Sequence, residues 1–153
     1  MQLVLVLHNI LRWAVLLFGL WTVLSALTGI MNKRNYTAGD SKSNFWFMLS
    51  CDIQLVLGLI LYYSNLWFDR LKDMGNNMKD AYNRFFTLEH SLLMIIALVL
   101  VHVGRVSVKN SHTPAAKHKR SLIYFGLALV LILAAIPWPF REAIARPLFR
   151  MFN

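Results

Sequence analysis

Ionisable and amide side chains interrupt several otherwise apolar stretches of this sequence. They are His8, Arg12, Asp52, Gln54, Glu89, His90 and His102. An ionisable group within a membrane-spanning segment costs about 2.5–3.5 kcal/mol on insertion scales, so such residues are expected in a packed interior or at a site. Histidine binds haem iron, and intramembrane carboxylates are typical of proton relays. These residues are therefore the candidates for function.

His8 and Arg12 share one face of the first apolar segment with small residues. A helix turns about 100° per residue, which places Arg12 about 40° and Gly19 about 20° from His8, with Ala26 in line with it. Small residues mark the contacts between helices in membranes. This face is therefore predicted to point into a helix bundle.

His90 shares its face with Ala97, Val101 and Gly104 by the same rule. Both histidines lie about five residues inside their segments, roughly 8 Å below the same membrane surface at about 1.5 Å per residue. Two inward-facing histidines at equal depth on different helices can hold one planar ligand, and bundle interiors commonly host cofactors. The arrangement predicts a single haem b with His8 and His90 as axial ligands of the iron.

Two neighbours of His8 suit such a cofactor. Arg12, one turn away, is predicted to pair with a haem propionate, because a guanidinium binds a carboxylate through two hydrogen bonds. Gly19 would allow a flat macrocycle to lie close to the backbone. The alternative is that the two histidines hydrogen-bond to each other, to Asp52 or to Gln54, and simply join helices.

Asp52 and Gln54 form a candidate proton or polar site in the second apolar segment. A midplane carboxylate is typical of a proton or ion pathway, or it is a protonated acid bonded to a neighbour. His102 projects about 120° away from His90, so it is expected to be a satisfied interior or interfacial histidine. Glu89 is expected at the interface. The sequence contains no evident catalytic nucleophile, and any enzymatic activity would be redox chemistry shared with partner subunits.

Four apolar segments position these residues, at about 3–31, 45–66, 85–104 and 121–140. Each has at least the roughly 20 residues that a membrane-spanning helix needs. Short polar connections favour an all-α integral membrane four-helix bundle with up-down-up-down topology and a single transmembrane domain. The tail 141–153 mixes apolar residues with three arginines and is predicted to form a short interfacial amphipathic helix, which Pro147 should break or kink.

The composition excludes a soluble fold and a nucleic-acid-binding protein. Of the 153 residues 58% are hydrophobic and 15% charged, against about 25% charged in soluble domains. The net charge of +9 is confined between long uncharged runs, whereas nucleic-acid-binding proteins spread their charge over a solvated face. The single cysteine, Cys51, excludes an intrachain disulfide framework. The expected partners are the lipid bilayer and other membrane subunits or a second copy.

The basic residues define the orientation only weakly. The first and third loops carry eight Lys and Arg residues, and the second loop with the tail carries seven, with Arg12 on that side too. The positive-inside rule counts these residues, so the dense cluster Lys117–Arg120 decides the prediction. It places the first and third loops in the cytoplasm and both termini in the periplasm.

Several ordered motifs together resemble a known family. They are Leu7-His8-Asn9-Ile10-Leu11-Arg12-Trp13, the run 54–62, Arg84-Phe85-Phe86-Thr87-Leu88-Glu89-His90, His102-Val103-Gly104-Arg105, Lys117-His118-Lys119-Arg120 and the run 136–141. Over nearly its whole length the chain resembles a small four-helix membrane family of Bacteroidota-type bacteria, usually labelled "cytochrome B".

The resemblance implies haem binding and electron transfer in the bacterial inner membrane, with His8 and His90 as the matching positions. The expected function is a b-type membrane cytochrome or the haem-carrying small subunit of a respiratory complex. The chain departs from the family pattern at Asp52, where relatives often carry a histidine, so a haem site using the second helix is not expected. The alternative is a haem-free accessory or structural subunit of a larger membrane assembly.

Overall fold

Four long helices make up most of the computed structural model, which describes residues 1–150. Helix α1 spans Gln2–Met31, α2 spans Ala38–Ser64, α3 spans Ala81–Lys109 and α4 spans Pro114–Ala135. All four are long and apolar enough to cross a membrane. No β-strand occurs in the described residues. The all-α four-helix bundle of a multi-pass membrane protein is confirmed.

Helix α2 begins about two turns before its predicted apolar segment because a capping box starts it. The Asp40 N–H donates to Thr37 Oγ1 at 3.4 Å, and the Thr37 N–H donates to the Asp40 carboxylate at 2.7 Å. These bonds satisfy backbone donors that the first turn of a helix leaves free. The polar residues before 45 are therefore helical as well.

Helix α4 likewise begins before its apolar segment. Thr113 Oγ1 accepts a hydrogen bond from the Ala116 N–H at 3.2 Å, and Pro114 occupies the first helical turn, where its missing N–H costs nothing. The helix ends at Ala135, several residues before the predicted limit, because Pro137 follows and proline restricts the residue before it to an extended conformation.

The four helices form a ring. Helix α1 packs against α2 and α4, and α3 packs against α4, whereas the contact between α2 and α3 is the least extensive of these. In the centre Phe47 of α2 and Phe125 of α4 are fully buried, with ring centroids 5.9 Å apart. Gly104 allows α3 and α4 to approach closely, since a Cβ there would lie 2.6 Å from Tyr124 Cβ. The bundle is thus tighter on its α3–α4 side than on its α2–α3 side.

The predicted inward faces of the first and third segments are confirmed. The buried residues of α1 are Val6, Arg12, Val15, Gly19, Thr22, Ala26 and Gly29. In the long regular part of α3 they are Ala97, Val101, Gly104 and Val108. The stripes of small residues therefore do mark the helix–helix contacts.

The connection between α2 and α3 consists of short helical turns at Trp67–Arg70, Leu71–Asp73 and Met74–Asn77. Leu66 begins it in the left-handed region, with a φ of 58°. The Arg70 guanidinium then lies 4.2 Å from the centroid of the Trp67 ring. The connection forms a cap over this end of the bundle.

The tail is not a helix over residues 141–150, so that prediction is wrong. Three prolines interrupt the stretch from 137 to 147, and each lacks the N–H that a helix requires. The tail backbone bonds to α1 instead: Asn9 Nδ2 donates to Pro147 O at 3.2 Å, and Arg12 Nη2 and Trp13 Nε1 donate to Leu148 O at 2.6 and 3.1 Å. The last residues of the predicted tail helix, 151–153, lie outside the described residues.

Candidate functional site

His8 and His90 face each other inside the bundle. Their ring centroids are 6.4 Å apart, and the ring planes make an angle of 68°. His8 lies in the second turn of α1, and His90 is the first residue of the long regular part of α3. The two histidines that the sequence placed at equal depth are thus brought together. We call the end of the bundle that holds them the histidine end.

A π turn directly precedes His90. It covers Phe85–Glu89, between the α-helical turn Ala81–Arg84 and the regular helix His90–Lys109. Such π turns are rare in proteins, and those that occur are often at functional sites. A residue inserted into a helix rotates the later part of that helix by about 100° relative to the earlier part. The turn therefore separates the direction of His90 from that of the residues before it, and no sequence pattern indicated it.

His90 is held by the end of α4. Its Nδ1 donates to the carbonyl oxygen of Ala135 at 2.8 Å. This carbonyl is free because α4 ends at Ala135, and the last carbonyls of a helix have no N–H partner within the helix. A hydrogen bond from one ring nitrogen to a backbone carbonyl is the usual means of orienting a metal-binding histidine. The Pro137-Trp138-Pro139 motif was the sequence signal for this free carbonyl.

The ring of His8 lies against Gly58 of α2. A Cβ at this glycine would be 3.3 Å from His8 Cε1, so only glycine leaves ordinary van der Waals room here. Gln54 Nε2 donates to the His8 carbonyl oxygen at 2.8 Å. His8 Nδ1 and Gln54 Oε1 are buried and have no hydrogen-bond partner among residues 1–150. Sequence reasoning missed Gly58, although it falls within the run 54–62.

Arg12 lies one turn from His8 and is 8% exposed. Its Nη2 donates to Leu148 O at 2.6 Å, and its guanidinium lies 5.4 Å from the centroid of the Trp13 ring. Its Nε is buried without a hydrogen-bond partner in the described part of the chain. A cation with one donor still free thus lies near the histidine pair.

Gly19 is not brought to the histidine pair. A Cβ at this position would lie 3.0 Å from Leu129 Cδ1 and 3.0 Å from an edge atom of Phe47. The residue is 11 positions from His8, about 16 Å along the helix at about 1.5 Å per residue. Its place in the structure is a helix–helix contact in the middle of the bundle.

Asp52 and Gln54 are also separated. The Gln54 side chain points to α1, whereas Asp52 Oδ1 is 2.7 Å from His102 Nε2 of α3. The side chains of this Asp52–His102 pair are 37% and 47% exposed respectively. The pair therefore lies on the outer surface of the bundle, between α2 and α3. Sequence reasoning had not paired the two residues.

Glu89 lies at the surface, beside the connections of the histidine end. Arg84 Nε donates to Glu89 Oε1 at 2.7 Å, and both side chains are about 40% exposed, at 42% and 39% respectively. The two residues line a cavity of about 340 Å³ together with Arg141 and Glu142 of the tail. The lining thus contains two cations and two carboxylates, so its charges balance.

The opposite end of the bundle, which we call the basic end, carries the connections 32–37 and 110–113. Its main polar cluster surrounds Asp40, which is 3% exposed. The Asp40 carboxylate accepts hydrogen bonds from Arg34 at 2.6 and 2.7 Å, from Ser25 Oγ at 2.5 Å and from the Thr37 N–H at 2.7 Å. These bonds raise the pKa of the Arg34 guanidinium above its ordinary value. Sequence reasoning missed this cluster, although Thr37 and Asp40 have the three-residue spacing of a capping box.

His118 is a fully buried histidine at the basic end. It is 1% exposed, its ring packs on Gly29, and the Tyr36 ring centroid is 5.3 Å from its own. Neither ring nitrogen has a hydrogen-bond partner among the described residues. Tyr36 also accepts a hydrogen bond from Asn44 Nδ2 at 3.0 Å, and Asn44 donates to Ser121 Oγ at 3.1 Å.

Comparisons with protein-family models, with curated proteins and with solved structures find no match to this chain.

Proposed function

We propose that the protein is a b-type haem-binding membrane cytochrome, or the haem-carrying small subunit of a respiratory complex, and that it transfers electrons. One observation carries the proposal: His8 and His90 face each other across the bundle with ring centroids 6.4 Å apart. A bond between an imidazole nitrogen and a metal is about 2 Å long. Two imidazole rings that held one metal ion between them would have centroids roughly 6 Å apart, which is close to the separation of His8 and His90.

The surroundings of the two rings support the same proposal. His90 is oriented by Ala135 O, as the ligands of metal sites usually are. His8 has a buried ring nitrogen without a partner among residues 1–150, and Gly58 lies against its ring. A buried polar atom left without a partner costs about 1–3 kcal/mol, so a ligand at this position would remove that cost. His8 and His90 therefore supply imidazole nitrogens of the kind that hold a haem iron.

The predicted site residues have distinct roles under this proposal. His8 and His90 hold the iron, and Arg12 binds a propionate through its unpaired Nε. The bundle supplies an apolar, water-poor environment, which tunes a haem potential. Haem, when bound, supplies one-electron redox chemistry. Gly19 contributes to helix packing instead of to the haem contact.

The proposed location is the bacterial inner membrane, with both termini in the periplasm. The Lys117–Arg120 cluster supports this orientation through the positive-inside rule. Protease added to sealed spheroplasts is the direct measurement. We expect cleavage within the connection 65–80, which is then periplasmic, and protection of the connections 32–37 and 110–113.

The experiment that tests the function is an optical spectrum of the detergent-purified protein after haem-replete expression. We expect the reduced-minus-oxidised bands of a low-spin b haem, with about one haem per chain. His8→Ala and His90→Ala should each lose most of the bound haem. His112→Ala is the matched control, since this histidine is exposed in the connection before α4, and it should keep the spectrum. A colourless protein would refute the proposal.

A second candidate function, a haem-free accessory subunit of a membrane assembly, is favoured by the Asp52–His102 pair. Its half-exposed ionisable groups lie on the outer face of two candidate membrane-spanning helices, where lipid is a poor environment for them. A partner helix against α2 and α3 would cover them. Under this function Asp52→Ala reduces recovery of an assembly after gentle solubilisation, and the preparation is colourless throughout.

A further inference from the structure

A cavity of about 460 Å³ lies between α3 and α4 at the basic end of the bundle. Ser107 of α3 lines it, as do Ala116, Lys119, Arg120, Ile123 and Tyr124 of α4. Ser107 is two residues from the end of α3, and Lys119 is five residues after the start of α4. The cavity therefore begins at the level where lipid headgroups meet the ends of the helices.

The lining of this cavity contains two cations and no carboxylate. Arg120 is fixed in place because its Nη1 donates to the Ser107 carbonyl oxygen at 2.9 Å. Lys119 is exposed beside it. An arginine guanidinium has five N–H donors, so the bond to Ser107 leaves most of the Arg120 donors free for an anion. The two side chains thus offer charge and donors to one acceptor group.

The basic end as a whole has almost no negative charge to neutralise these cations. Its Lys and Arg residues are Lys33, Arg34, Lys42, Arg105, Lys109, Lys117, Lys119 and Arg120. Asp40 is the single carboxylate in the sequence near them, and Arg34 already binds it. At the histidine end seven Lys and Arg residues face five carboxylates, apart from Arg12. The uncompensated positive charge therefore lies at the end of the bundle where this cavity is, and two of its cations line the cavity.

The part of the cavity further from the start of α4, towards the middle of the bundle, is suited to an acyl chain. Ile123 is 46% exposed and lies one turn below Lys119. Tyr124 follows, and tyrosine is a residue favoured at membrane interfaces, with an apolar ring and a polar hydroxyl. Cations above an apolar wall, between two membrane helices, match the two halves of a phospholipid.

We propose that this cavity binds one anionic phospholipid. Its phosphodiester lies between Lys119 and Arg120, and the start of an acyl chain lies against Ile123 and Tyr124. Both a lipid headgroup and free phosphate can bind the two cations through phosphoryl oxygens. Only the lipid also has an acyl chain that can contact Ile123 and Tyr124. The site is independent of the histidine pair and does not depend on haem binding.

The test is a titration of the full-length delipidated protein in neutral detergent, followed by native mass spectrometry. Three probes are compared: short-chain phosphatidylglycerol, phosphatidylcholine of the same chain length, and inorganic phosphate. We expect saturable binding of one phosphatidylglycerol, with phosphatidylcholine and inorganic phosphate at least about tenfold weaker. Equal binding of phosphatidylcholine, or binding of phosphate as tight as that of the anionic lipid, would overturn the proposal.

Two double variants separate the cavity from the general attraction of a basic surface. K119Q/R120Q should weaken phosphatidylglycerol binding about thirtyfold, at roughly fivefold for each lost cation. K33Q/K42Q removes the same charge from the same end but outside the cavity lining, and it should weaken binding about threefold or less, since separated surface charges are screened. Equal losses in the two variants would show diffuse attraction and refute the site. If the double variant fails to fold, Lys119→Gln alone replaces it in the test, because this side chain is exposed. It should weaken phosphatidylglycerol binding about fivefold.

Discussion

The two ends of the bundle both bury polar side chains but differ in how many of these have partners. At the basic end Asp40 accepts from Ser25, Arg34 and Thr37. Asn44 donates to both Tyr36 and Ser121. At the histidine end one atom in each of His8, Arg12 and Gln54 is buried without a partner among residues 1–150.

This difference separates a polar cluster that stabilises the fold from one that suits a ligand. A satisfied buried network holds helices in one arrangement, whereas each unpaired polar atom costs about 1–3 kcal/mol until something binds it. His118 is the exception at the basic end, because its ring nitrogens also lack partners in the described chain. There Gly29 and Tyr36 close around the ring, so burial alone does not identify a site.

Among substitutions that test this difference between the two ends, Asp40→Ala should cause the largest loss of stability. The change removes the centre of the satisfied network and the capping box of α2, and it leaves Arg34 without its carboxylate partner. We expect the free energy of unfolding in detergent to fall by about 3 kcal/mol. The measurement is reversible chemical unfolding followed by circular dichroism.

Asp69→Ala is the matched control for this substitution. The Asp69 carboxylate pairs with Lys72 at 2.7 Å, but both side chains are mostly exposed, so the loss should stay below about 0.5 kcal/mol. Equal losses for the two variants would mean that the Asp40 network is not a stabilising centre.

Glycine-to-alanine changes at the two ends provide the next comparison. At Gly29 a new methyl group would overlap the His118 imidazole, so overpacking should cost about 2 kcal/mol in the free energy of unfolding. At Gly58 the nearest atom, His8 Cε1, is 3.3 Å from the added carbon, and the cost to the haem-free protein should be below about 1 kcal/mol.

The order of the two variants should reverse when haem content is measured. Gly58→Ala crowds a proposed ligand and is expected to lower haem occupancy by more than half, whereas Gly29→Ala leaves occupancy per folded chain unchanged. Gly126→Ala is the control, because a Cβ there meets no atom within 4 Å, and it should be neutral or slightly stabilising. The proposed difference between the ends fails if Gly29→Ala and Gly58→Ala change haem occupancy equally.

The smallest expected effect concerns alkaline pH at the basic end. Burial raises the pKa of the Tyr36 phenol above its ordinary value of 10.0. Above pH 10 the unfolded chain therefore releases this proton while the folded protein retains it. The free energy of unfolding should then fall as the pH rises from about 10 to 11, by at most about 1.4 kcal/mol for one such group.

Tyr36→Phe should remove this part of the pH dependence, and Tyr63→Phe is the control, because the Tyr63 side chain is 78% exposed. Unfolding curves at pH 9 and 11 measure both. If Tyr36→Phe retains the full slope of the parent protein, Tyr36 is not the group that titrates.

Much of this fold was predictable, because one-dimensional patterns determine it. The apolar runs predicted the four helices, and the 100° rule placed Gly19, Ala26 and Ala97 on buried faces. Equal depth also predicted that His8 and His90 would meet. These predictions required only regular helices that alternate in direction, because the starts of α1 and α3 then lie at the same end of the bundle.

The remaining features depend on contacts between distant segments. The Asp52–His102 pair and the approach of Gly58 to His8 arise from how the helices rotate and tilt against each other. The π turn before His90 shifts the helical phase without any marker in the residues. The tail is not helical because proline lacks the N–H that a helix needs. Arg12 and Trp13 of α1 donate to the tail carbonyl of Leu148 instead.

The bond between His90 and Ala135 also determines which tautomer of the imidazole is present. A carbonyl oxygen can only accept, so the single proton of the neutral ring must reside on Nδ1. The lone pair then remains on Nε2, which is the nitrogen that the proposed haem site would use. Pro137, which ends α4 at Ala135 and so leaves this carbonyl without a helical partner, therefore influences proton placement on a side chain 47 positions earlier in the sequence.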